Sequence, residues 1–415
     1  MSFRTLAVLA LAAFLALPAT ASNWPHWRGP AHSGVASDTG VPVNWGPEEN
    51  VDWKIPMPGL SGSTPIVWGD QIFVSVVDDG QIELWTLSRD DGSLQWKKPL
   101  GRHPSEKTRK GNMSSPSPVS DGEAVWVVTG TGVVAGFGLD GRSMWQRDLQ
   151  GEFGKFGILH GYSSSPLLHG DSLYVQVLHG FHTDDPSYVM RINKQSGETI
   201  WRVERPTDAP REAPDAYTTP ALLERPDGFE IVVSGGDYVT GHDPDTGAEL
   251  WRLGGMNPSQ NPMQRIVASP IVVDDMIYVP SRVNPLLALQ VEGKNDPALR
   301  WSTERGPDVP TPAVDEDTVY ILTDKGIVWS LDAETGVVNW GPERIHSAIY
   351  SASPVVADGH VYATSEDGTT TVFSAGPEFE VISENDIGEY SLSSLAVSNG
   401  QLLLRTADHL YCIGK

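Results

Sequence analysis

The 415-residue chain has a single cysteine, Cys412. One thiol forms no internal disulfide and builds no cysteine-ligated metal cluster. Its setting, His409-Leu410-Tyr411-Cys412-Ile413, is apolar and reads as a buried core position. Cations are scarce as well. Only 29 Lys and Arg stand against 53 Asp and Glu, for a net charge of −24. A surface of that sign repels phosphate backbones, which argues against nucleic acid as a partner. Long apolar runs are missing beyond the first residues, so an integral membrane protein is not expected. No phosphate-loop, Gly-x-Ser-x-Gly or His-Glu-x-x-His motif occurs.

What is present begins with an export signal. Arg4 precedes the apolar run Leu6 to Leu17, Pro18 breaks it, and Ala19-Thr20-Ala21 fits the small-residue pattern before a signal-peptidase cut. The run is too short for a comfortable membrane span. These residues predict a signal peptide over 1–21, cleavage near Ala21/Ser22, and a periplasmic or secreted mature protein. Loss of Arg4 takes the net charge from −24 to −25. No cysteine stands at the cut, so no lipid anchor is expected there.

The remaining residues repeat. Each copy opens on Ser or Thr before Pro, as at Thr64-Pro65, Ser117-Pro118, Ser165-Pro166, Thr219-Pro220, Ser269-Pro270, Thr311-Pro312 and Ser353-Pro354. An eighth, degenerate start lies at Ser393-Ser394-Leu395. A polar turn such as Asp243-Pro244-Asp245-Thr246-Gly247 or Asp332-Ala333-Glu334-Thr335-Gly336 comes later in the copy, and Trp follows four residues after the Gly. The short polar side chain bonds the backbone ahead of it, and Gly supplies the positive φ of a tight turn. The closing tryptophans are Trp96, Trp145, Trp201, Trp251, Trp301 and Trp340, with Phe379 in that place in the next copy. Their spacings are 49, 56, 50, 50, 39 and 39 residues.

A period of that size, with four strand-like segments in each copy, predicts an all-β, eight-bladed β-propeller of four-stranded blades. The eighth copy stops near Ile413 without an outer strand, and the segment around Trp53 looks like an outer strand without its other three. Pairing the N- and C-terminal segments closes the ring and removes its free edges. Seven blades is the alternative count. Residues 22–415 form one domain on this reading. Trp53, Trp96, Trp145, Trp201, Trp251, Trp301 and Trp340 are expected to dock each blade on the next, because a large flat ring at a seam buries much apolar area.

The motif Ala/Ser-x-Asp-x-x-Thr-Gly-x-x-x-Trp, present at Ser330 to Trp340 and more loosely at Gly241 to Trp251, resembles the repeat of the pyrroloquinoline-quinone-like propellers. The resemblance covers roughly residues 23 to 413 by repeat counting. The opening Asn23-Trp24-Pro25-His26-Trp27-Arg28-Gly29-Pro30 resembles the start of many secreted bacterial members. That family includes the outer-membrane assembly factor BamB and the quinoprotein alcohol dehydrogenases. The chain lacks the adjacent cysteine pair and the added length of the dehydrogenases, and also the N-terminal cysteine of BamB-type lipoproteins. The motif implies the fold and leaves the function open.

The loops entering each inner strand form one mouth. Gly101 to Asn112 carries Arg102, Lys107, Arg109 and Lys110, a cationic concentration in an acidic chain. Gly151 to Tyr162 brings His160 and Tyr162 towards the same mouth, and Tyr217, Arg265, Tyr350 and Tyr390 hold corresponding positions in other blades. Arg109, Lys110, His160, Tyr162, Tyr217, Arg265, Tyr350 and Tyr390 are therefore the candidate ligand-binding residues, for a flat or sugar-like ligand. A solvated loop and a ring of plugging tyrosines is the competing reading. His179, His182, Asp184 and Asp185 look like an ordinary hairpin tip, so no metal site is assigned. The resulting expectation is a monomeric, non-enzymatic binding or scaffolding protein that holds a protein or glycan partner at the mouth or rim, without a cofactor. The alternative implied by the resemblance is a small quinoprotein oxidoreductase with pyrroloquinoline quinone and Ca²⁺ near Arg109, Lys110, His160 and Arg265. A glycan-cleaving enzyme on the same mouth is a third reading, and requires two suitably spaced carboxylates.

Overall fold

The computed structural model describes residues 22–104, 110, 112–293 and 296–415. The expected signal segment 1–21 and Arg109 lie outside the described residues. Thirty-two strands form eight separate four-stranded antiparallel sheets. The count is eight blades, and seven is excluded. Blade 1 runs Ile66–Trp68, Gln71–Asp78, Gln81–Ser88 and Leu94–Arg102 from the axis outwards. The inner strands of blades 2 to 7 are Val119–Ser120, Leu167–His169, Ala221–Arg225, Ile271–Val273, Ala313–Asp315 and Val355–Ala357. Their outer strands are Ser143–Asp148, Thr199–Glu204, Glu249–Leu253, Asp296–Thr303, Val338–Arg344 and Val381–Asp386.

Blade 8 is shared between distant parts of the chain. Ala396–Ser398, Gln401–Arg405 and His409–Ile413 supply three strands, and Val51–Pro56 adds the outer one. The register pairs Trp53 with Cys412, Lys54 with Tyr411 and Ile55 with Leu410. No sheet is left with half a blade, so the ring closes without a vacant edge. The middle strands are almost wholly buried, as in Ala124–Val128 and Ser172–Val177. The core is thus a set of clusters between neighbouring blades.

The seams show why the turn and the Trp recur together. Trp145 lies on Gly197 of the next blade, where a Cβ would fall 2.5 Å from the ring, and its indole N–H donates to the Lys194 carbonyl at 2.9 Å. Trp201 sits likewise on Gly247 and donates to the Pro244 carbonyl at 2.8 Å. Trp96 uses Gly141 and Leu139, Trp301 uses Gly336 and Ala333, and Trp53 uses Gly92 and Arg89 across the closure. Trp340 donates to the Gly376 carbonyl at 2.8 Å. Trp251 differs. The next blade has no Asp-x-x-Thr-Gly turn, and the indole donates instead to Glu230 of its own blade at 2.6 Å.

One expectation is corrected here. Phe379 does not occupy the Trp position of blade 7. It packs 5.1 Å from the Trp340 ring, on the preceding seam. In the ladder, Ser383 opposes Val372 as Trp340 opposes Ser330. The seam between blades 7 and 8 is filled by Trp45, whose amide donates to Asn385 at 2.9 Å and whose ring stacks 6.4 Å from Tyr362. The spacing of 39 residues matched, but the aromatic came from outside the repeat.

The segment before the first blade crosses the underside of the channel. Trp24 exchanges backbone hydrogen bonds with Val67 of blade 1, and the Ser120 amide of blade 2 donates to the Pro25 carbonyl. Val314 of blade 6 donates to Ser33, and Gly34 and Ala36 bracket Val356 of blade 7. The Arg28 guanidinium donates to the Pro354 and Pro312 carbonyls, at 2.8 Å each, and to the Ser33 carbonyl at 3.3 Å. The opening motif is therefore a plug built across the ring.

Candidate functional site at the propeller mouth

Each inner strand begins on the mouth side with the repeated Ser or Thr. These residues, Thr64, Ser117, Ser165, Thr219, Ser269, Thr311, Ser353 and Ser394, are linked around the axis. The backbone amide of each donates to the hydroxyl oxygen of the next, at 2.9–3.1 Å, in seven of the eight steps. The eighth step falls at the closure, where the Ser393 hydroxyl donates to the Ser63 carbonyl at 3.0 Å. The repeat therefore serves as an axial hydrogen-bonded ring. Proline follows seven of the eight, Ser394 being followed by Leu395, and has no amide hydrogen to donate. All eight residues line one cavity of about 430 Å³. Its base is Trp27 of the plug, which also lines a second cavity on the underside.

The walls come from the connecting loops. Those after blades 1 to 4 (103–118, 149–166, 205–220 and 254–270) are longer than the four that follow. They form a tier of their own, in which Leu178 bridges Ala216 and Ala216 bridges Ile266. Asp215 ties the tier together. Its carboxylate accepts the Leu159 amide at 3.0 Å and the Gly180 amide at 2.6 Å. Burial pushes its pKa up, and the two amide donors hold it back. Nothing but Gly fits at position 180, where a Cβ would meet the Arg211 carbonyl at 2.1 Å.

Of the eight candidate residues, six line this cavity: Lys110, His160, Tyr162, Tyr217, Arg265 and Tyr350. Tyr390 stands one step behind, with its hydroxyl 3.0 Å from Glu366. Arg109 is outside the described residues. The tyrosines are mostly wall. Tyr162 and Tyr350 are fully buried and donate to the Gln176 and His346 carbonyls at 3.0 and 2.9 Å. Tyr217 accepts the His160 amide at 3.2 Å.

The electrostatics of the mouth are set by carboxylates that the sequence reading did not single out. Lys110 pairs with Glu366, which also accepts from Ser351. Arg265 lies 3.8 Å from the buried Glu212. Asp308 and Asp324 line the cavity as well. His160 has a lowered pKa, first from burial and then from the Arg265 charge, so its ring is neutral at neutral pH. One signal for these carboxylates was available in the repeat. Asp324 in Thr323-Asp324-Lys325-Gly326 and Glu366 in Ser365-Glu366-Asp367-Gly368 follow the second strand of adjacent blades at equivalent places. Glu212 had no such marker.

His179 to Asp185 forms a loop on the same face. Asp185 accepts the Lys155 amide at 2.8 Å and the Thr183 hydroxyl at 2.9 Å. Among the described residues no three His, Cys, Asp or Glu side chains converge as metal ligands. No helix among the described residues is long and apolar enough to cross a membrane.

Eight four-stranded blades, Trp-on-turn seams and a closing strand from the N-terminal side define a pyrroloquinoline-quinone-like repeat propeller. The chain belongs to the family described as outer membrane protein assembly factor BamB, whose profile matches residues 31–175 and 235–374. It is 27% identical over 242 residues to the outer membrane protein assembly factor BamB of Alkalilimnicola ehrlichii, covering 57% of this chain. That match spans about half of the relative, 53% of its length. Among solved structures, BamB from Moraxella catarrhalis aligns with a TM-score of 0.63 at 16% identity, over 86% of this chain and 97% of that one. A europium-containing methanol dehydrogenase aligns with a TM-score of 0.68 at 12% identity, over 92% and 89%. At those identities the structural likeness speaks for the fold alone.

Proposed function

We propose that the protein is an exported, non-enzymatic binding and scaffolding propeller that holds a protein or glycan partner at its mouth or rim, in the setting of outer-membrane assembly. The observation that carries this reading is the state of the mouth's reactive groups. Lys110 is held by Glu366, Arg265 faces Glu212, Asp215 accepts two amides, and the Tyr162 and Tyr350 hydroxyls bond backbone carbonyls. Groups tied up in this way brace a surface. A nucleophile beside its base, or a poised acid and base pair, would be arranged differently. The family match supports the assembly setting.

The donor set does not suit pyrroloquinoline quinone with Ca²⁺. An acidic quinone would meet two cations and two carboxylates on the cavity wall, with Glu366 and Glu212 behind the cations. Calcium takes six to eight oxygen ligands, roughly, and its sites are rich in carboxylates. The described residues gather no such cluster.

The test is photo-crosslinking in the native cell envelope from Phe181 and Met263, two exposed apolar residues on the mouth-side loops. A discrete crosslinked partner is expected from these positions and not from Leu94 on an outer strand. A parallel thermal-melt titration with pyrroloquinoline quinone and Ca²⁺ should leave the melting point unchanged. A saturable cofactor at 100 times its Kd adds about 2.7 kcal/mol, so such a shift with no crosslinked partner would overturn the reading in favour of a quinoprotein.

A further inference from the structure

The axial ring leaves its hydroxyl protons unused. Seven of the hydroxyl oxygens accept a backbone amide from the neighbouring blade. No described residue accepts the proton of any of the eight, and all eight line the cavity. A set of convergent donors without acceptors calls for oxygen atoms from a ligand or from water. Beneath them lies Trp27, half-buried, with the Arg28 guanidinium 5.5 Å from its ring centroid and the plug's backbone holding it in place. An aromatic face at the base of a hydroxyl-lined well suits a molecule with one apolar face and many oxygens at its edge.

Charge narrows the class. The cavity wall carries Lys110 and Arg265 against Asp308 and Asp324, and the two cations already face Glu366 and Glu212. Such a wall has no surplus cation for a carboxylate or a phosphate. Paired guanidinium and carboxylate groups donate and accept side by side, as adjacent hydroxyls require. The volume, about 430 Å³, is at the small end of the roughly 300–1,000 Å³ of ordinary ligand sites.

We propose that the mouth cavity is a receptor site for a short, uncharged saccharide, stacked on Trp27 and surrounded by the Ser/Thr ring, with Arg265 and His160 at its entrance. This rests on the reading of the mouth as a binding site and commits it to one ligand class. A saccharide end presented by an envelope polymer would enter from the open face, since the plug closes the other.

The experiment is saturation-transfer NMR on the purified protein with N,N′-diacetylchitobiose, cellobiose and maltose. Transfer to the ring C–H protons of at least one sugar is expected. Trp27→Phe keeps an aromatic floor and should retain binding. Trp27→Ala should weaken it at least tenfold. Because Trp27→Ala also touches the plug, Arg265→Ala supplies a second variant at the entrance, expected to weaken binding several-fold while circular dichroism shows the propeller still folded. Absence of transfer from all three sugars overturns the proposal, as does transfer indifferent to both alanine variants. Failure here with a crosslinked protein partner in hand leaves the scaffold reading standing. Loss of both removes the two together.

Discussion

Arg28 is fully buried beneath the channel, hydrogen-bonded to three carbonyls and, among the described residues, in no ion pair with a carboxylate. Burial lowers its pKa to about 9. Carbonyl acceptors partly replace the lost hydration, and the residue remains charged at neutral pH. His26 and His32 lie beside it in the plug, with ring centroids 4.1 Å apart. Desolvation takes His26 well below its usual pKa and His32 to about 4, each helped by a neighbouring histidine. Both are therefore neutral in the folded protein, and His169, Glu224, Arg225, Asp274 and Asp275 line the same underside cavity. Above the unfolded value of about 6.5, neither state binds a proton and the full stability is present. As pH falls from there towards 4, the unfolded chain takes up protons that the plug refuses, and stability is lost. Denaturant midpoints measured between pH 7 and 4.5 should fall in the wild type and fall less in a His26→Gln/His32→Gln variant. Equal slopes would show that the plug does not titrate in this way. The opening motif was visible as a motif in the sequence, but its role was not. Its partners Pro312 and Pro354 lie some 300 residues away, and no period relates them.

At the level of the element, turn and ring are two halves of one joint. Blade 3 offers a matched pair of glycines. Gly170 has φ 57° with open space where a Cβ would be, and Gly197 has φ 75° with the Trp145 ring in that space. Each Gly→Ala change costs about 1–2 kcal/mol of left-handed strain. At Gly197 the ring must also move, adding about 1–3 kcal/mol as overpacking does. Urea melts of the two variants should separate by that second amount, and equal losses would mean that the seam yields freely. The parts of the joint were readable in the sequence, because the turn and Trp recur at a fixed spacing of four, but not that the ring of one blade rests on the turn of the next. It failed at blade 7 for a physical reason. Spacing alone does not say from which side an aromatic approaches a seam, and Trp45 reached the position from the segment ahead of the closing strand.

At the scale of the whole molecule, eight blades and their closure followed from the repeat count, because no copy lacks a strand except at the two ends. The mouth was legible only as a list of loops. Blade position brings Lys110, His160 and Arg265 to one cavity, but the groups that set their charge are remote, as with Lys110 and Glu366, 256 residues apart. The ring of hydroxyls was likewise seen as eight Ser/Thr starts without its hydrogen bonds. Closure can be measured directly through Cys412, which lies in the last strand opposite Trp53. Burial raises its thiol pKa to about 12, with the Asp52 charge adding to the rise. A thiol of that kind is inert until exposed. In a guanidinium series, labelling by a disulfide reagent should follow the same midpoint as tryptophan fluorescence. Rapid labelling in plain buffer would show instead that blade 8 opens on its own.

The same closing strand dictates an order of events at the ribosome. Val51–Pro56 is made early, while His409–Ile413, its hydrogen-bonding partner, does not yet exist. For most of synthesis the ring has two raw borders, each a template for pairing with another chain. Contacts so distant in sequence form late and slowly. A copy without residues 409–413 thus keeps both borders open, and crowded unfinished copies have their own first strand to offer one another.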